Sequence, residues 1–340
     1  MDIAAKKILT DLKAGKYDPV YVLQGEETFY IDLLSNFIEA HGLQDSERSF
    51  NQTIYYGKDV TVAAILTTAK RFPLMAPRQL VIVREAQDIP DLQKDTGIKL
   101  MLDYIARPVP STVLVLCHMH KALDKRKELG KKIDQFATCA TFKKMFENQL
   151  PSFVLEYVMD KGFKIDGAAV QVLCEYIGND LSRLANEIDK VLIAVPKGEI
   201  ITADNVMSQV GISREYNMFE LQKALIQKNS FLANKIVNYF ESNTKRNPSI
   251  PMVALLYSFY SKLLVASITS DRSERGLVSL LKINPFAAKD YSMALQRYST
   301  LQIIENISRL KQADLKLKGV NSGSESEGQI LKELVFGLMY

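Results

Sequence analysis

The chain has 340 residues, a length that suggests two or three domains. Hydrophobic residues make up 47% and charged residues 24%, which excludes a chain dominated by disorder or a collagen-like repeat. The net charge of +4 is too small to mark a nucleic-acid binder by itself. Cys117, Cys139 and Cys174 show no close pairing, as expected in the reducing cytoplasm. The opening residues MDIAAKKILTDLK carry charge throughout and do not read as a secretory signal. The apolar run 251–268 is broken by Lys262 and falls short of the ~20 residues of a membrane span, so it predicts a buried core helix and no membrane attachment.

Up to residue 142, short apolar runs alternate with helix-period segments. An amphipathic helix (Ile3, Ile8, Leu9, Leu12) precedes a strand over 20–23 and then Gly25. A helix over 31–40 is apolar at Leu33, Leu34, Phe37 and Ile38. Residues 50–56 have strand character and end at Gly57; a helix over 60–70 and a strand over 80–83 follow. A helix over 98–105, a strand over 112–117, a polar segment and a short strand over 137–142 complete the series. Apolar strands alternating with helices predict an α/β domain with a parallel sheet covered on both faces.

After residue 142 the pattern is helical. Helices over 150–159, 168–177, 181–195 and 205–210 form a small unit, with Asp166, Asp180 and Thr202 as N-caps and Gly162, Gly178 and Gly211 at helix ends. A turn-like link, 211–214, leads to helices over 218–227, 231–240, 252–268, 285–296, 301–317 and 329–339. Loops carry Pro248, Pro251, Gly276 and the polar run 321–328. The predicted organisation is an α/β domain (1–142), a small helical domain (143–211) and an α-helical bundle (212–340).

An α/β domain followed by a small helical unit suggests a nucleotide-driven machine, but the phosphate chemistry is missing. A phosphate loop needs a glycine-rich turn with a lysine for the phosphates and a hydroxyl for magnesium. Here the turn reads Leu23-Gln24-Gly25-Glu26-Glu27-Thr28-Phe29, with one glycine, no lysine and two carboxylates that repel phosphate. The strand expected to carry a metal-binding carboxylate ends in Arg84. Phosphoryl transfer depends on positioned donors and a metal, so no hydrolysis and no nucleotide cofactor are expected. His118 and His120 would share a face of a strand and invite zinc, but no second ligand pair lies near; they read instead as the wet end of a strand, with no metal site. No catalytic triad has support in the sequence.

Two surface features remain. The run 121–132 (Lys121, Lys125, Arg126, Lys127, Lys131, Lys132) is the densest cationic stretch, read as a solvated helix face or as a contact for a phosphate backbone. Between the helix 60–70 and the strand 80–83 lies Arg71-Phe72-Pro73-Leu74-Met75-Ala76-Pro77-Arg78. Its prolines end the helix and stiffen the link. Leu74 and Met75 then either form an exposed apolar wedge for a partner's pocket or fold back as a cap over the core.

Several blocks match one family in order and spacing: Pro19-Val20-Tyr21-Val22-Leu23-Gln24-Gly25-Glu26-Glu27; Phe72-Pro73-Leu74-Met75-Ala76-Pro77-Arg78-Gln79-Leu80-Val81-Ile82-Val83-Arg84; Gly178-Asn179-Asp180-Leu181 with Leu184-Ala185-Asn186-Glu187-Ile188 and Lys190; and Asn217-Met218-Phe219-Glu220-Leu221. Through them the chain resembles the delta subunits of the bacterial DNA polymerase III clamp loader nearly end to end. The resemblance implies a degenerate AAA+ (P-loop-like) parallel-sheet domain that binds the clamp, a helical lid domain and a C-terminal helical collar domain for oligomerisation. It also implies partnership with tau/gamma and delta-prime subunits, primed DNA within the assembled loader, and opening of the beta sliding clamp during DNA replication without intrinsic ATPase activity. The clamp-binding residues would be Leu74 and Met75. The family commonly has Leu-Phe there, and Met75 keeps the apolar volume with more flexibility. No Ser-Arg-Cys motif precedes the last strand, so no arginine finger is expected. The alternatives from other classes are a divergent stand-alone P-loop NTPase and a nucleic-acid-binding adaptor using residues 121–132.

Overall fold

The computed structural model describes residues 2–210, 216–243, 248–283, 285–320 and 325–340. They form two compact units, Met1–Met145 and Phe146–Tyr340. The link expected at 211–214, and Gly211 with it, lies outside the described residues, as does 321–324 of the polar run.

The first unit is built on five strands: β1 (Val20–Gly25), β2 (Gln52–Tyr56), β3 (Gln79–Arg84), β4 (Thr112–Met119) and β5 (Thr138–Phe142). They pair in the order β2-β3-β4-β1-β5, all parallel. The helices are α1 (Ile3–Lys13), α2 (Thr28–His41), α3 (Asp45–Asn51), α4 (Val62–Ala69), α5 (Asp95–Ala106) and α6 (Glu128–Phe136). Because side chains alternate across a strand, Val20, Val22, Val81, Val83, Leu114 and Leu116 share one core with residues of α4, α5 and α6. Ile31, Leu34 and Ile38 of α2 are fully buried, and α2 packs on β1 and β4. With both faces covered, the central strands read as unbroken apolar runs, which made them visible in the sequence.

The strand expected over 50–56 begins only at Gln52: Phe50 lies in α3, a short helix whose polar composition (Asp-Ser-Glu-Arg-Ser-Phe-Asn) hides its period. The cationic run is not one helix face, because α6 begins only at Glu128 and the preceding residues are turns.

The second unit holds α7 (Leu150–Asp160), α8 (Gly167–Ile177), α9 (Leu181–Ala194) and α10 (Ala203–Val210), with a parallel pair of two-residue strands, β6 (Lys164–Ile165) and β7 (Ile200–Ile201), that the helical pattern had hidden. Asp166 and Asp180 cap α8 and α9 through Ala169 N and Arg183 N, and the Thr202 hydroxyl accepts from Asn205 N. The rest comprises α11 (Met218–Ile226), α12 (Ser230–Ser242), α13 (Ser249–Ser267), α14 (Glu274–Leu281), α15 (Ala288–Arg297), α16 (Thr300–Leu317) and α17 (Glu327–Met339). Gly276, read as a loop residue, sits inside α14, whose start is capped by the Ser273 hydroxyl. The long apolar helix α13 is buried along one side only: Leu256, Phe259, Tyr260 and Leu263 enter the core, whereas Leu255, Tyr257 and Val265 are exposed. Its length and composition alone would also permit a membrane span. Tyr260 and Tyr298 tie this core together: the Tyr260 hydroxyl donates to Tyr298, which donates to the Leu225 carbonyl at 2.8 Å.

Candidate functional site

The turn between β1 and α2 is where a phosphate would bind in a P-loop protein, and its geometry is closed. Gly25 has φ +129°, and a Cβ on it would lie 2.0 Å from the Phe142 carbonyl oxygen. The Glu27 amide donates to that same oxygen at 3.2 Å. The Glu27 side chain is buried, and its Oε1 accepts from Phe29 N at 3.2 Å, capping α2. A helix N-terminus attracts anions through its free N–H groups. Here one of those groups is already engaged by the protein's own carboxylate, which would repel a phosphate brought to the same place.

The end of β3 carries a cation in place of a metal-binding carboxylate. The Arg84 guanidinium lies 2.6 Å from Glu39 and 3.9 Å from Asp32, and it donates to Asn36 Oδ1 at 2.8 Å, all on α2. Burial raises the pKa of Asp32, and Arg84 pulls it back.

The histidines part company at the end of β4. His118 is 3% exposed, and its Nδ1–H donates to the Lys121 carbonyl at 2.8 Å. His120 follows the strand, is exposed and has φ +67°. They do not share a strand face, and His118 is a satisfied buried residue, not the wet end of a strand. Burial lowers the His118 pKa and pushes the Cys117 thiol up to about 12. Among the described residues no three His, Cys, Asp or Glu side chains gather as metal ligands. In the cationic run, Arg126 folds onto Asp124 and Lys125 pairs with Asp134 at 2.5 Å. Hydrogen bonds from Arg126 draw the Asp124 carboxyl down to about 2. Part of the run's charge is thereby neutralised within the chain.

The loop between α4 and β3 stands apart. Met75 is 95% exposed, Phe72 86% and Leu74 58%, so the fold-back cap is not what the loop forms. Met75 also has φ +53°, a left-handed conformation that costs a side-chain-bearing residue about 1–2 kcal/mol. The neighbouring structure must hold it there. Two buried amides frame the loop. At its exit, the Gln79 Nε2 donates to the Thr68, Ala69 and Arg71 carbonyls and to the Thr112 hydroxyl. At its tip, Asn51 of α3 binds the Leu74 backbone from both sides: Leu74 N–H donates to Oδ1 at 2.6 Å, and Nδ2 donates to Leu74 O at 3.0 Å. Nδ2 also donates to the Glu47 carbonyl at 3.0 Å. Sequence reasoning singled out Leu74 and Met75 as candidates and did not single out Asn51. The available signal was the spacing of Gln44 and Glu47, which start α3 through a Gln44 N–H to Glu47 Oε2 bond of 2.9 Å.

Together these features define a P-loop-like α/β module whose phosphate turn is occupied by its own carboxylate, carrying an apolar loop at the entry to β3 and followed by a largely helical unit. Residues 21–143 match the family model described as DNA polymerase III, delta subunit. The DNA polymerase III subunit delta of Bacillus subtilis is 24% identical over 329 residues, covering 95% of this chain and 93% of that protein. The probable DNA polymerase III subunit delta of Aquifex aeolicus is 22% identical over 228 residues, 64% of this chain and 63% of that one. The solved structure of the Bacillus subtilis DNA clamp loader delta protein shares the fold, with a TM-score of 0.62 at 22% identity over 98% of this chain and 99% of the other. The chain is thus similar to DNA polymerase III delta subunits over nearly its whole length, and residues 21–143 fit that family's model.

Proposed function

We propose that this subunit binds and opens the beta sliding clamp for loading onto primed DNA, with Leu74 and Met75 as the residues that enter the clamp. The observation that carries this reading is the placement of two apolar side chains on a loop held by buried amides, one of them in a strained conformation and almost wholly in water. Exposed apolar side chains on a rigid loop have little to bury within their own chain and are suited to a partner's pocket. Opening follows if the wedge binds the clamp with one interface sprung more tightly than the closed ring; a ligand shifts such an equilibrium only by that difference. The subunit contributes no ATP hydrolysis in this reading. The closed β1–α2 turn supports that assignment and weighs against a stand-alone NTPase.

Segments 143–211 and 212–340 are assigned two roles, a lid and a collar that joins tau/gamma and delta-prime subunits in a ring. The exposed apolar side of α13 supports the collar assignment. A subunit acting at the bacterial chromosome works in the cytoplasm. The test is capture of the purified full chain on immobilised sliding clamp from the same source. Saturable binding supports the reading, and its absence at micromolar chain refutes it.

A further inference from the structure

We infer that Asn51 is a positioning residue that holds the Leu74–Met75 loop in its docking conformation before any partner arrives; this rests on the clamp-binding reading above. The geometry is specific. Asn51 is 4% exposed, whereas the segment it grips is largely in water. Its carboxamide uses both sides on one residue, accepting from Leu74 N–H and donating to Leu74 O, as a neighbouring β-strand would. The remaining Nδ2 hydrogen anchors the amide to its own helix at Glu47 O. An isolated buried amide would need only satisfaction; this one clamps the residue immediately before the left-handed Met75.

Removing the clamp frees the loop to leave the φ +53° conformation, which an unconstrained methionine disfavours. A binding-competent state that is only partly populated weakens apparent affinity by that fraction. If the competent population falls to about one-tenth, clamp binding weakens about tenfold. Pre-organisation of this kind acts through ordering costs and makes no contact with the partner.

The experiment uses the full chain with Asn51→Ala and, as a milder variant, Asn51→Ser, each with and without Leu74→Ala/Met75→Ala. Clamp affinity and hydrogen exchange at the Leu74 amide are both measured. The inference expects Leu74 N–H to be protected in the unaltered chain, to lose about tenfold in protection in the Asn51 variants, and clamp affinity to fall in parallel. It further expects the Asn51 change to add nothing once Leu74 and Met75 are alanine, a non-additivity that a merely structural role would not produce. Unprotected Leu74 N–H in the unaltered chain overturns the inference without needing any variant to fold. Full clamp affinity in a folded Asn51 variant, with Leu74→Ala/Met75→Ala still weak, also overturns it. A Leu74→Ala/Met75→Ala chain that binds normally overturns the clamp reading instead.

Discussion

Replacing Leu74 and Met75 together by alanine separates docking from folding. In the free chain Met75 is 95% exposed and Leu74 58%, so truncation removes little intramolecular contact and stability should change by no more than about 0.5 kcal/mol. Alanine keeps a Cβ at the left-handed Met75 position, whereas glycine would change the backbone preference as well. On docking, each side chain contributes about 1.5–3 kcal/mol if it becomes fully buried. Alanine retains part of that and interface truncations do not add, so the double change should cost about 2–4 kcal/mol of binding. That range corresponds to roughly thirty-fold to a thousand-fold weaker binding. Surface plasmon resonance on immobilised clamp gives the affinity, and thermal melting gives the stability. Unchanged affinity in a variant that melts normally refutes the wedge, while a large fall in melting temperature refutes the claim that these residues serve no core.

The purified chain is expected to hydrolyse no ATP, because Glu27 already caps α2 and Arg84 stands at the end of β3; magnesium-dependent turnover that co-purifies with the chain and disappears on changing Gly25 would contradict this. Gly25→Ala should destabilise the fold by at least about 2 kcal/mol, since its Cβ would lie 2.0 Å from the Phe142 oxygen at φ +129°; an unshifted urea midpoint would refute the closed-turn geometry. Burial lowers the His118 pKa. Between the ordinary histidine value of about 6.5 and the lower folded value, the unfolded chain binds a proton that the folded chain does not, so stability should fall as pH drops through that window. His118→Gln should flatten the dependence between pH 7.5 and 5.5, and an identical slope in both proteins would show that another group is responsible.

How legible each part was follows from the range of the interactions that make it. The central strands β1, β3 and β4 are buried on both faces, so their side chains alone announce them. The closed phosphate turn was legible for a similar reason, because Gly25-Glu26-Glu27 contradicts phosphate chemistry through local charge. The Phe142 oxygen that makes Gly25 obligatory was not legible, because it lies on β5, 117 positions further along the chain. α3 failed for want of an apolar period, and α14 failed because glycine reads as a breaker when its neighbours are unknown.

The loop combines both cases. Pro73 and Pro77 are local and marked its ends; the residues that decide its conformation, Asn51 and Gln79, look ordinary in sequence. Asn51 lies 23 positions from Leu74, and the Gln79 amide reaches Thr112 33 positions away. An amide becomes a conformational clamp only when burial removes water as its competing partner, and burial is a property of the folded sheet and not of the local segment. That is why the two apolar side chains could be named from sequence while two opposite roles, wedge and core cap, stayed open for them. Exposure removes the core-cap role, and the polar groups beneath the loop explain how so apolar a tip stays fixed in water.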